Sequence, residues 1–366
     1  MTRTLLSIVG TRPEAIKMAP VVKELRKSKI FDVQLVSTGQ HRELLRQTLN
    51  SFGLAPDLEL GVMQANQSLG GLTANLISAL DPVFDELKPD MVIGQGDTTS
   101  VMVASLLSFY RRIPFSHVEA GLRTGDIHSP FPEEFNRTVA GRVAALHFAP
   151  TQRSVDNLLR EGVESSRIHL TGNTVIDALL WMSKRVGAPS ITTLPGRRLI
   201  LVTCHRRENF GKPMQNIFEA LKRIITYHPD CEIVFPVHPN PNVRNPVYAK
   251  LGNESRIHLV DPLCYEDLVS MMKASYFVMT DSGGIQEEAP SLCKPVLVLR
   301  ESTERPEAVE AGVAEIVGVD QDKIFERASR LLSDPVYYAR VATGANPYGD
   351  GLATGRIVSA INSYFQ

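Results

Sequence analysis

The stretch Tyr276 to Pro290, YFVMTDSGGIQEEAP, has residue types and spacing that suit anion chemistry. Tyr276 to Thr280 is an apolar run of the length that a parallel sheet buries on both faces. Asp281-Ser282-Gly283-Gly284 interrupts it with residues suited to an N-cap and a tight turn, and a helix is expected from Ile285. At such a junction the unpaired N–H groups of the first helical turn and the positive end of the helix dipole point the same way. A phosphate can sit on them directly, and the two glycines let it come close. Glu288 follows Gly284 by one helical turn and shares its face, as Glu287 shares that of Gly283. Either carboxylate suits a ribose diol, and spacing does not choose between them. An ordinary strand-to-helix turn with a serine cap and surface glutamates has the same residues.

Other loops carry complementary groups. His205-Arg206-Arg207-Glu208-Asn209 follows an apolar run at Leu199 to Thr203, and two arginines with a histidine suit a diphosphate or make a solvated basic turn. RESTERP, Arg300 to Pro306, adds Arg305 as a further anion contact, and His238-Pro239-Asn240-Pro241 is a weaker candidate loop. Gly94-Gln95-Gly96-Asp97-Thr98-Thr99 begins like a dinucleotide fingerprint, but Thr99 stands where the third glycine belongs. A bound NAD is therefore not expected. Asp97 also reads as the N-cap of a helix through Val101 and Leu107. In Ser129-Pro130-Phe131-Pro132-Glu133-Glu134, Pro132 is placed as the first helical residue, where acidic neighbours favour the helix dipole whatever else they do. Glu119 follows a buried run, Phe115 to Val118, and a carboxylate at the carboxyl end of a buried strand has few structural explanations.

The elements that must position these groups alternate. Short apolar runs at Leu5 to Gly10, Val33 to Ser37, Met91 to Gly94, Pro114 to Val118 and His147 to Ala149 are separated by amphipathic stretches, most of helical length. A second series begins near Arg198, with runs at Leu199 to Thr203, Glu232 to Pro236, Ile257 to Val260, Tyr276 to Thr280, Pro295 to Leu299 and Glu315 to Val317. Such alternation specifies α/β units with doubly wound parallel sheets, and right-handed crossovers put the functional loops at the carboxyl ends of the strands. The expected division is 1–186 and 198–345, with a Pro- and Gly-rich link at 187–197 and a terminal segment, 346–366, whose helix packs elsewhere.

The 366 residues suit two domains. A net charge of −1 argues against a general affinity for nucleic acid or an anionic membrane, so any anion site is local. No run approaches the length of a membrane span, and a cytoplasmic location is the default expectation. The four cysteines, Cys204, Cys231, Cys264 and Cys293, include no C-x-x-C pair, so reduced thiols, small and buried beside strands, are expected rather than a metal site.

Taken together, GTRPEAIKMAPV (Gly10 to Val21), GQHRE (Gly39 to Glu43), Gly96-Asp97, HVEAGLRTGD (His117 to Asp126), SPFPEEFNR (Ser129 to Arg137), HRRENFG (His205 to Gly211), DSGGIQEEAP and TERPEA (Thr303 to Ala308) resemble the non-hydrolysing UDP-N-acetylglucosamine 2-epimerases over nearly the whole chain. The resemblance implies a GT-B-like architecture of two Rossmann-like domains facing a cleft, with the terminal helix crossing back to the first. It also implies a homodimer that interconverts UDP-GlcNAc and UDP-ManNAc without a cofactor. Carried over by residue, Ser282, Gly283 and Gly284 would bind the diphosphate with Arg12, Lys17, His205 and Arg305 nearby, and Glu288 would hold the ribose. Asp97, Glu119 and Glu133 match the catalytic acidic positions, and His205 would stabilise the departing UDP. Members activated by a second UDP-GlcNAc carry Gln-His-Arg-Gln where this chain has Gln40-His41-Arg42-Glu43, and an arginine where it has Asn66. Gln40, His41, Arg206 and His238 are thus positions for such a site in a chain that departs from its pattern at Glu43 and Asn66.

The hydrogen at C2 of such a sugar is not beside a carbonyl, so a side-chain base needs it made acidic first. Without NAD, the available route is loss of UDP from C1, after which a carboxylate takes the C2 proton and leaves 2-acetamidoglucal. A glycosyltransferase using the same UDP site, a UDP-sugar binding protein without turnover and a hydrolysing epimerase that releases free ManNAc are the competing readings.

Overall fold

The computed structural model describes residues 2–39, 42–64, 67–189, 191, 194 and 196–366, with Arg42 as backbone alone. They divide into a unit of 1–178 with 349–366 and a unit of 179–348. The sequence places the division in the link at 187–197, but the chain passes from one unit to the other inside the helix Thr174–Ser183.

The first unit is built on a seven-stranded, wholly parallel sheet. Its strands are β1 (Arg3–Val9), β2 (Phe31–Ser37), β3 (Leu58–Glu59), β4 (Met91–Gln95), β5 (Phe115–Val118), β6 (Leu146–Ala149) and β7 (Ile168–Leu170), in the order β3-β2-β1-β4-β5-β6-β7. The second unit has β8 (Arg198–Thr203), β9 (Cys231–Pro236), β10 (Ile257–Val260), β11 (Phe277–Thr280), β12 (Val296–Val298) and β13 (Ala314–Ile316), in the order β10-β9-β8-β11-β12-β13 and again parallel throughout. Both orders reverse direction once, between β1 and β4 and between β8 and β11. Crevices at the carboxyl ends of such neighbouring strands are where doubly wound sheets bind ligands. The sequence reading misses β3 and β7, which at two and three residues are too short to show a period.

The central strands are largely apolar because helices cover both faces. In the first unit Leu6, Ile8, Val36 and Val92 pack with Leu72, Leu76, Leu80 and Phe84 of the helix Leu69–Leu87. Leu76 and Leu80 are fully buried, and each such leucine contributes about 1.5–3 kcal/mol. In the second unit Ile200, Val202, Ile233, Phe235, Phe277 and Met279 meet Phe218 and Leu221.

Local sequence sets where the first site loop turns. Thr11 caps the helix Arg12–Leu25 in a reciprocal capping box with Glu14, and Pro13 opens its first turn. Gly10 is required there, since a Cβ would stand 2.7 Å from both Ser100 Oγ and Thr38 Oγ1. The terminal helix Ala353–Tyr364 packs on the helix Arg12–Leu25 of the same unit.

Candidate active site

In the first unit Asp97 and Glu119 lie just beyond the carboxyl ends of β4 and β5, and Glu133, at the start of the helix Glu133–Val143, is near enough for its charge to act on Asp97. Glu119 is the first residue after β5, buried, with φ of +64°, a left-handed backbone that a non-glycine residue holds only when its surroundings over-determine it. Its carboxylate accepts from Lys17 and Asn173 at Oε1, the latter at 3.0 Å, and from Gln95 Nε2 at Oε2. The donors come from the first helix, the end of β4 and the turn before the helix Thr174–Ser183, so tertiary packing alone assembles them.

Asp97 is half-buried and paired with Arg137, while Asn136 Nδ2 donates to its main-chain carbonyl at 2.9 Å. Burial pushes its carboxyl above the usual aspartate range; Arg137 and Lys17 oppose this, and the charges of Glu119 and Glu133 add to it. A carboxyl lifted in this way suits a group that must both release and take up a proton. The residue capping the helix Thr99–Tyr110 is Thr98, which accepts from Val101 N at 3.3 Å, so Asp97 is not an N-cap. Glu133 is the first residue of the helix Glu133–Val143, half-buried, with Pro132 at the cap instead of inside the helix. The neighbouring Glu134 is buried and structural: it accepts from Thr124 N at 3.1 Å and pairs with Arg137 at 3.3 Å.

Glu14, which lies within the GTRPEAIKMAPV stretch, organises the floor of this group. Fully desolvated, it accepts from Gly10 N at 3.0 Å, Thr11 N at 2.6 Å and the hydroxyls of Thr11 and Thr98 at 2.7 Å each; burial raises its pKa against these bonds. Arg12 opens the helix beside it, half-buried. Gln95 is read only as part of the Gly94 to Thr99 stretch, and nothing in the sequence singles out Asn173. An amide has no titration to attract notice, and Asn173 lies 54 residues along the chain from Glu119.

In the second unit the basic loop and the glycine turn meet between β8 and β11. Asp281, wholly buried, accepts at Oδ2 from the backbone N–H of His205 (2.9 Å) and Arg206 (2.8 Å) and from Asn209 Nδ2 (3.0 Å). It thereby fixes the loop after β8. His205 Nδ1 lies 3.4 Å from Asp281 Oδ1, and its ring stacks on His238 at 5.5 Å between centroids. Burial lowers the imidazole below its ordinary value; Asp281 opposes this, and His238 and Arg206 add to it, so the ring is neutral at pH 7. The exposed His238 accepts from Asn240 N at 3.1 Å through Nδ1, and Arg206 is half-buried. Gln40 and His41 lie outside the described residues.

The helix after the glycine turn is Gly283–Glu288, starting two residues earlier than Ile285 and passing into a 3₁₀ turn at Ala289–Leu292. Ser282 makes no side-chain cap, and its N–H donates to Thr280 Oγ1 at 2.9 Å. A Cβ on Gly283 would have as its nearest neighbour Arg305 Cζ, at 4.0 Å, so the bare backbone faces the guanidinium. Neither glutamate is a surface residue. Glu287 pairs with Arg305, and Glu288 accepts from the buried Tyr265 hydroxyl at 2.8 Å.

The four cysteines are free, as their spacing suggests, but only Cys204 and Cys231 are buried. Cys264 caps the helix Tyr265–Ala274, and Cys293 is exposed in a left-handed turn. Among the described residues no group of histidine, cysteine and acidic side chains is placed to hold a metal, and no helix is long and apolar enough to cross a membrane.

Two Rossmann-like parallel sheets, each with polar loops at its switch point, define an α/β protein of the GT-B-like class. The family model for UDP-N-acetylglucosamine 2-epimerase matches residues 23–362. The UDP-N-acetylglucosamine 2-epimerase of Escherichia coli strain K12 is 50% identical over 371 residues, covering 98% of each chain. Among solved structures, the UDP-GlcNAc 2-epimerase of Neisseria meningitidis bound to UDP-GlcNAc aligns with a TM-score of 0.91 at 44% identity, over 98% of this chain and 100% of that one. The Methanocaldococcus jannaschii enzyme in complex with UDP-GlcNAc and UDP aligns with a TM-score of 0.82 at 32% identity, over 99% of both. The chain belongs to the UDP-N-acetylglucosamine 2-epimerase family and is an isomerase.

Proposed function

We propose that the protein interconverts UDP-GlcNAc and UDP-ManNAc by eliminating UDP to a bound 2-acetamidoglucal and adding it back, with no cofactor. The observation that carries this reading is the carboxylate group of the first unit, in which burial lifts Asp97 above its ordinary pKa against the charge of Arg137, and the charges of Glu119 and Glu133 add to the lift. Inversion at C2 needs proton transfer on both faces of the sugar, and Asp97 and Glu133 are the groups for it, because both oxygens of Glu119 already accept hydrogen bonds. Glu119 orders the site through Lys17.

The leaving diphosphate is held by the backbone of Ser282, Gly283 and Gly284 with Arg305, His205 and Arg12, while Lys17 acts on it by charge. A neutral His205 can donate one hydrogen bond to the departing oxygen, and the diphosphate's own charge favours its protonation. Glu288, oriented by Tyr265, accepts from the ribose. The active form is a cytoplasmic homodimer, in a pathway that consumes an activated 2-acetamido sugar for polysaccharide synthesis. Arg206 and His238, with Gln40 and His41, are the positions for a second UDP-GlcNAc, in a chain that departs from the activated pattern at Glu43 and Asn66.

Incubation with UDP-GlcNAc in deuterated water, followed by proton NMR, tests the reading. The C2 proton signal disappears while UDP-ManNAc grows, with nothing else added. Survival of that proton, with UDP released only when an acceptor is supplied, establishes a glycosyltransferase instead.

A further inference from the structure

We infer that Asn173 is a positioning residue for Glu119, and that the C-terminal segment beginning at Gly349 holds Asn173 in place. The inference rests on the reading that Glu119 serves the epimerisation.

Asn173 is buried, and its two amide atoms have distinct partners. Oδ1 accepts from Val175 N at 3.1 Å, which fixes the orientation of the amide, so Nδ2 must face Glu119 Oε1 at 3.0 Å. Glu119 needs such partners because its left-handed backbone is held only by what surrounds it.

The turn that carries Asn173 is in turn held by residues from the far end of the chain. Gly349, at φ of +144°, lies against it: a Cβ there would stand 3.4 Å from Asn173 N and 3.5 Å from Gly172 Cα. Arg356 donates to Thr171 O at 2.9 Å while pairing with Asp350. One turn into the following helix, Asp177 accepts from Ala353 N at 3.2 Å and Thr354 N at 2.8 Å, supplying the start of the terminal helix with the cap it lacks locally. Thr171, Asn173 and Asp177 therefore form one connected edge between the terminal segment and Glu119.

A purely structural account makes Asn173 only the cap at Val175 N, and Asn173→Asp separates the two. Aspartate caps a helix as well as asparagine does, but it removes the donor and sets a second carboxylate against Glu119. The expected result is a retained fold with a melting temperature lowered by the two facing carboxylates, and a kcat lower by about ten- to a hundredfold, as for loss of a hydrogen bond to a charged group. The acidic limb of the kcat profile moves to higher pH, because two facing carboxylates take up their first proton more readily. Parent kcat with an unmoved profile overturns the assignment. Should this variant not fold, Asn173→Ser keeps a capping oxygen but its hydroxyl is one bond too short to stand where Nδ2 meets Glu119, and it should lose kcat with no displacement of the limb; parent kcat there also overturns the assignment. Asp177→Asn tests the terminal segment: a severalfold loss of kcat at unchanged KM supports its part, and parent kcat removes it. Glu119→Gln, measured alongside, keeps the underlying reading separate, since parent-rate C2 exchange in that variant refutes the role of Glu119 whatever Asn173 does.

Discussion

Asp97 and Glu119 stand at the carboxyl ends of β4 and β5, and Asp281 stands at the carboxyl end of β11 in a sheet of the same winding. Asp281 is wholly buried and accepts from two backbone N–H groups and an asparagine, which fixes the loop that carries His205 and Arg206. Asp97 keeps part of its surface open and is matched to a single guanidinium, and burial holds its pKa up. Position in a doubly wound fold therefore does not decide what a carboxylate does. A wholly buried carboxylate with one oxygen taken up by two backbone N–H groups and an amide orders its loop, whereas one left with charged neighbours and an open side is a candidate for proton transfer.

Asp97→Asn tests that contrast with the largest expected effect. Removing a general acid or base costs roughly 10²- to 10⁴-fold in rate, so deuterium exchange at C2 should fall by that factor while UDP affinity stays near the parent's. Exchange at the parent rate would make Asp97, like Asp281, a structural residue.

Acid should expose a second difference. His117 and His147 stand directly opposite each other on β5 and β6, and burial holds their pKa values down to about 4 and about 3. Below the unfolded value near 6.5 the unfolded chain binds protons that the folded chain refuses, so stability is complete above that pH and declines as pH falls towards these values. The loss is roughly 2 kcal/mol per histidine at pH 5. Denaturant midpoints should fall between pH 7 and pH 5, and His147→Leu should flatten the slope; an unchanged slope would place the acid sensitivity elsewhere.

The smallest effect concerns Glu288. It is buried like Asp281, and it accepts from the Tyr265 hydroxyl. If its carboxylate serves the ribose, Glu288→Gln should weaken UDP binding roughly tenfold by calorimetry. Unchanged affinity would place it with Asp281 as a residue that only orders its surroundings.

Much of this arrangement was legible along the chain. Apolar runs of strand length separated by helical stretches specified two parallel sheets, because a strand covered on both faces shows no alternation and a crossover needs a helix. Charged or glycine-rich stretches directly after such runs single out candidate loops, those of Asp97, Glu119, His205 and the glycine turn, from local pattern alone. What remained closed to the sequence was each group's partner. Glu287 and Glu288 share one spacing argument, and only packing shows that one meets Arg305 and the other Tyr265. Asp97 reads as a cap until Thr98 is seen to hold that place. Residue type and strand order follow from local pattern, which the sequence contains in full. Which donor faces which carboxylate depends on segments as distant as Lys17, Gln95 and Asn173 converging on Glu119, and only the closed fold brings them within hydrogen-bonding range.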